Sequence, residues 1–109
     1  MFTIATGDLL GLPTSDNHIN VEWVGEGRVL FSMTQLGDAL SCHFAADKAG
    51  LRWIKQAIEE FCSCAFSWFG WCKMIIAAIN KPSVERIVRK CGFSRFGTSG
   101  NTLMYMRQR

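Results

Sequence analysis

The feature that most limits what this chain can fold into is a hydrophobic period that changes twice between residues 39 and 79. Residues 39–45, ALSCHFA, read as a strand. From Leu51 the apolar residues recur as Leu51, Ile54, Ala57, Ile58, Phe61, Cys62 and Ala65, with Arg52, Lys55, Gln56, Glu59 and Glu60 between them. That spacing is one face of a helix. Gly70 is its expected stop. Residues 72–79, CKMIIAAI, then form a largely apolar run of strand length, as expected for a strand covered on both faces. A helix of this length between two strands predicts a parallel pair joined by a right-handed crossover.

The flanks complete an α/β reading. INVEWV from Ile19 alternates, with Val21 and Trp23 on one face. Gly25, Glu26 and Gly27 make a turn, RVLFSMT a second strand, and residues 35–38 a turn into the strand at 39. That is an antiparallel meander. Residues 1–18 hold Gly7, Gly11 and Pro13, which break any long element. After Asn80, Pro82 suits the first turn of a short helix. Val84, Ile87, Val88 and Cys91 form its apolar stripe, and Gly92 ends it. Two short strands follow, near residues 93–96 and 102–106, with a turn at 97–100. At 109 residues the expectation is one domain with one core.

Composition narrows the function classes. The net charge of +3 is unevenly spread. Residues 81–109 carry seven Lys/Arg (Lys81, Arg86, Arg89, Lys90, Arg95, Arg107, Arg109) against Glu85 alone. This predicts either an anionic partner or a solvated basic face. Nucleic acid is the less favoured partner, because no recognition motif accompanies the charge. Five cysteines, an odd number in mostly apolar surroundings, fit reduced thiols in a cytosol. Cys62 and Cys64 lie two apart on a helix and point away from each other, so no metal site is expected. The first twelve residues lack the pattern of a secretory signal. Residues 61–79 have the length of a membrane span, but Gly70 and the central Lys73 favour a helix end, a turn and a strand. Phe61, Phe66, Trp68, Phe69 and Trp71 are a large aromatic load for a small core, so an exposed patch serving a partner protein or self-association is expected.

The stretch NKPSVERIVRKCGF, residues 80–93, resembles the signature of the GNAT N-acetyltransferases, in which a strand ending in Asn leads into a short helix and a Gly-Phe pair. Asn80, Ser83, Lys90, Gly92 and Phe93 match it, with one residue more than the commonest spacing. Together with the element order, the resemblance covers roughly residues 39–107. It implies a trimmed GNAT-like fold, because the chain lacks room for the family's first strand and pair of helices. It implies that the strands at 39–45 and 72–79 splay to admit the pantetheine arm of acetyl-CoA. The pyrophosphate would then rest on the loop at 46–52, at the start of the crossover helix. The implied cofactor-binding residues are Phe44, Ala45, Lys48, Ala49, Gly50, Leu51, Arg52, Asn80 and Ser83. The implied catalytic residues are Asn80, which fixes the strand end, and His43, a base for the amine proton. Glu22 and Asp38 are other candidate bases.

The chain departs from the family in two places. Its loop, AADKAGLRW, has Gly50 as its only glycine, although Lys48 and Arg52 supply charge. The family's acid, a tyrosine two residues before the helix lysine, is replaced by Val88. The only tyrosine is Tyr105, in the last strand. Two functions follow. One is an acyl-CoA-dependent N-acyltransferase acting on an amine-bearing acceptor. The other is a catalytically inactive scaffold that binds a protein. Trimmed proteins of the second kind resemble ones that tailed bacteriophages encode, which implies a host cytoplasm or a virion.

Overall fold

In the computed structural model, which describes residues 1–109, seven strands form one mixed sheet. The strands are β1 (Phe2–Ile4), β2 (Ile19–Trp23), β3 (Val29–Leu36), β4 (Ala39–Ala46), β5 (Met74–Ile79), β6 (Ser94–Ser99) and β7 (Thr102–Gln108). Their order is β1-β2-β3-β4-β5-β7-β6. β4 and β5 run parallel, and every other neighbouring pair is antiparallel. The crossover between the parallel pair is a 3-10 turn (Gly50–Trp53) continued by α1 (Ile54–Trp68). Helix α2 (Pro82–Lys90) follows β5. This is the α/β architecture the periodicity predicts.

Both helices lie on one face of the sheet. Phe61 of α1 stacks on Phe31 of β3 with ring centroids 4.3 Å apart. Residues opposite one another in a ladder share a face. The pairs Met33↔Cys42, Cys42↔Ala77 and Ala77↔Tyr105 therefore carry that face across to β7, where Glu85 and Arg89 of α2 bond Tyr105. The predicted α1 stripe is buried from Ile54 to Ala65. Burying a side chain such as Phe61 or Ile58 stabilises the fold by about 1.5–3 kcal/mol each. Gly92, at φ +88°, turns the chain at the end of α2, and the Phe93 N–H returns to the Val88 carbonyl at 3.1 Å.

The expectations for four elements need correction. The first strand is present: β1 pairs with β2 through Phe2↔Trp23 and Ile4↔Val21. Three residues are too few to show a period, and the free edge of β2 recruits them. No pair of helices follows β1. The segment after it lies instead on the second face, where the Ser32 hydroxyl donates to the Pro13 carbonyl and Arg28 donates to the carbonyls of Thr6 and Asp8. β5 begins at Met74 and is fully covered on one face only, since Ile75, Ala77 and Ile79 are buried while Met74, Ile76 and Ala78 are half-buried. Gly70 is not the helix stop, because α1 ends at Trp68 with an extended Phe69 behind it. β6 runs through Gly97 to Ser99, with a bulge between Arg95 and Gly97, and Gly100 (φ +61°) makes the turn.

The 19-residue apolar run thus divides into the end of α1, a turn and β5, and no helix is long and apolar enough to cross a membrane. Its aromatics divide too. Phe61 is core, while Trp68 and Trp71 are 46% and 37% exposed. Three of the seven C-terminal cations are tied to the fold by hydrogen bonds. Arg89 bonds Tyr105, Arg107 donates to the Cys91 carbonyl, and Arg109 donates to the carbonyls of Phe66, Phe69 and Cys72.

Candidate functional site

The parallel ladder stops early. β4 and β5 pair from Ala39↔Met74 to Cys42↔Ala77 and no further, although β4 continues to Ala46 and β5 to Ile79. Beyond that point each strand keeps its outer neighbour, β3 for Ala45 and Ala46, β7 for Ala78 and Ile79. The inner edges therefore face each other across a wedge without bonding. A cavity of about 350 Å³ occupies it. Phe44, Ala45, Ala46, Ala78 and Ile79 line it from the strands, Leu51 and Ile54 from the start of the crossover helix, and Asn80, Lys81, Ser83 and Val84 from the start of α2. Leu10 closes it from the segment after β1. Leu10 is the one non-glycine residue at positive φ (+53°), and its N–H donates to the Asp8 carboxylate.

Of the residues predicted from sequence, Phe44, Ala45, Leu51, Asn80 and Ser83 are brought together around this cavity. Lys48, Ala49, Gly50 and Arg52 lie beside it on the loop, with Lys48 and Arg52 exposed. His43 is half-buried on the second face of the sheet, opposite Ser32, and does not line the cavity. Asp38 sits in the turn before β4, in an ion pair with Lys73 at 3.6 Å. That is the far end of an eight-residue strand, about 25 Å from the wedge mouth. Glu22 is engaged by the Arg28 guanidinium at 2.9 and 3.1 Å.

The loop at 46–52 is organised by a residue that sequence reading overlooked. One oxygen of the Asp47 carboxylate accepts the Gly50 N–H at 2.7 Å and the Arg28 N–H at 2.9 Å. The Asp47 N–H donates back to the Arg28 carbonyl, and the Leu51 N–H donates to the Asp47 carbonyl. Bonding to two backbone N–H groups holds the Asp47 carboxyl below its ordinary value of 3.8. Asp three residues before Gly at the start of a helical pattern is the signal that would have found it. Gly50 is also explained. A Cβ there would lie 2.2 Å from the Arg28 carbonyl oxygen, and a Cβ on Gly27 would lie 2.2 Å from the Gly50 nitrogen. Two backbones touch at this point, which only glycine permits.

Val88, at the position of the family's tyrosine, is fully buried under α2. Tyr105 is fully buried as well. Its hydroxyl donates to the Glu85 carboxylate and accepts from Arg89 Nε at 3.0 Å. Neither residue lines the wedge.

No protein-family model matches the sequence, and no curated protein does. Solved structures match. One is a chimera of the spermidine N-acetyltransferase SpeG from Vibrio cholerae with hSSAT, at TM-score 0.69 and 10% identity, covering 85% of this chain and 68% of that one. A point mutant of SpeG from Vibrio cholerae gives TM-score 0.64 at 10% identity, with 85% and 66% covered. A second chimera gives 0.61 at 12%, with 85% and 70% covered. The chain has a trimmed GNAT-like fold. At this identity the likeness concerns the fold alone, and what the wedge does is a separate matter.

Proposed function

We propose that the chain is an acyl-CoA-dependent N-acyltransferase-like protein that takes the thioester arm of its donor into the β4–β5 wedge and acylates an amine. The observation that carries this is the early end of the parallel ladder at Cys42↔Ala77, which leaves two free strand edges around a cavity lined mainly by apolar residues. Free backbone N–H and C=O groups seek partners, and an extended arm bearing amide groups supplies them. The similar structures are named for spermidine, which fits an amine as the acceptor class.

The donor supplies an acyl group activated as a thioester. The chain's own residues would do the rest. Phe44, Ile54 and Ile79 exclude water from the arm. Asn80 and Ser83, both exposed at the cavity rim, offer an amide and a hydroxyl to orient it. As the new C–N bond forms and the C–S bond breaks, the amine loses a proton. His43 does not itself line the cavity, and is proposed to take the proton from the second face of β4 through an intervening water. With Val88 at the acid position, the departing thiolate takes its proton from water. The five free thiols support a reducing, cytoplasmic setting.

Titration calorimetry with acetyl-CoA and with free CoA tests the reading. Micromolar binding of either is expected. No heat, with a folded protein and no shift in melting temperature at millimolar ligand, overturns it.

A second reading has its own observations. The buried Val88 and the occupied loop favour a scaffold without catalysis, of the kind tailed bacteriophages encode, that binds a protein partner or a second copy. Ile4, Ile19, Trp68 and Trp71, all exposed, are the apolar surface it would use.

A further inference from the structure

This inference rests on the acyl-thioester reading of the wedge. The wedge has two ends of opposite character. The inner end, between the unpaired strand edges, is apolar and open. The outer end is closed by the loop at 46–52, where a diphosphate would need free backbone N–H groups and no competing anion.

That anion position is already filled. The N–H groups of Gly50 and Arg28 converge on one Asp47 oxygen, at 2.7 and 2.9 Å. The loop has no slack with which to turn these donors elsewhere. Gly50 lies against the Arg28 carbonyl and Gly27 lies against the Gly50 nitrogen, each so closely that a Cβ would sit 2.2 Å away. Arg28 is itself held by Glu22 and by the carbonyls of Thr6 and Asp8. A phosphate brought to this loop meets the Asp47 carboxylate and finds the Gly50, Leu51 and Arg28 N–H groups already bonded, while those of Lys48 and Ala49 carry no such bond. Lys48 and Arg52 on the loop are exposed, solvated charges on flexible stems, which salt screens.

We propose that the wedge recognises an acyl thioester by its pantetheine-type arm alone, and that the nucleotide diphosphate of coenzyme A adds nothing to binding. The ligand class is a neutral, extended chain of amide groups ending in a thioester. Coenzyme A is then one bearer of that arm, its nucleotide half lying outside the site in solvent. The loop is a structural clamp between the β2–β3 turn and the crossover helix, in place of an anion cradle.

The experiment is a direct comparison of acetyl-CoA with S-acetylpantetheine by calorimetry, in one buffer, on the full chain. The expected result is dissociation constants within about threefold of each other, with little salt dependence. 3′-Phosphoadenosine 5′-diphosphate, the nucleotide half without the arm, is expected not to compete. Asp47→Asn, if it folds, removes the resident charge and should tighten acetyl-CoA while leaving S-acetylpantetheine unchanged. Acetyl-CoA binding tenfold or more tightly than S-acetylpantetheine, roughly 1.4 kcal/mol, overturns the inference and leaves the acyl-thioester reading standing. Failure of both ligands to bind overturns both.

Discussion

At the scale of single residues, Val88 and Tyr105, the chain's only tyrosine, are both core residues. Val88 packs under α2, and Tyr105 points to the same interior, where Glu85 and Arg89 satisfy its hydroxyl. A buried hydroxyl bonded to charged partners is costly to lose, because the partners stay behind. Tyr105→Phe is therefore expected to lower stability by about 1–3 kcal/mol in urea unfolding. A loss below about 0.5 kcal/mol would show that the hydroxyl contributes nothing there. Sequence placed Tyr105 in the last strand correctly and could say nothing of its partners, which lie 16 and 20 positions away in the chain. His43 shows the same limit. Its strand was legible, and its face followed from alternation with the buried Cys42. Its distance from the wedge lining was not, because only the splay decides which residues of β4 look into the cavity.

At the scale of elements, local pattern did well where a period runs long enough to declare itself. The α1 stripe, the α2 stripe and the meander need only their own spacing. β1 has three residues and the bulge in β6 hides within a Gly-containing stretch, so neither announces itself. The loop at 46–52 failed for another reason. Its glycine satisfies the β2–β3 turn, a contact between segments twenty-two or so residues apart. A pH dependence follows. Asp47 has a folded-state value lowered beneath 3.8 by its two backbone bonds. Its contribution to stability is thus fully present above the unfolded value and lost as pH falls through the folded one. Melting temperature followed from pH 7 to pH 2 should fall through the acid range in the wild type. The fall should be shallower in Asp47→Asn, which starts lower. Equal slopes in the two proteins would remove Asp47 from the account.

At the scale of the molecule, one continuous sheet carries both helices on one face, and the buried thiols report on its integrity. Cys42, Cys62, Cys72 and Cys91 are buried, while Cys64 is half-buried. Burial pushes the Cys62 thiol up to about 11 and raises Cys42, Cys72 and Cys91 in the same direction. A neutral, enclosed thiol is a poor nucleophile. At pH 8 a disulfide reagent should therefore modify one cysteine promptly, Cys64, and all five after unfolding in guanidinium. Prompt reaction of two or more in the folded protein would mean that the core opens far more readily than its packing implies.

By itself the sequence determined what depends on neighbours along the chain. Hydrophobic period set the element types, the length of the crossover forced a parallel pair, and NKPSVERIVRKCGF set the strand end and α2. Tertiary structure alone decided what depends on groups far apart in sequence. It ended the β4–β5 ladder at Cys42↔Ala77, brought Leu10 and Lys81 to the cavity, and set Asp47 between Arg28 and Gly50. The reason is physical. A side chain's period is fixed by its own backbone, whereas a cavity or a bonded carboxylate exists only once separate segments have packed against each other.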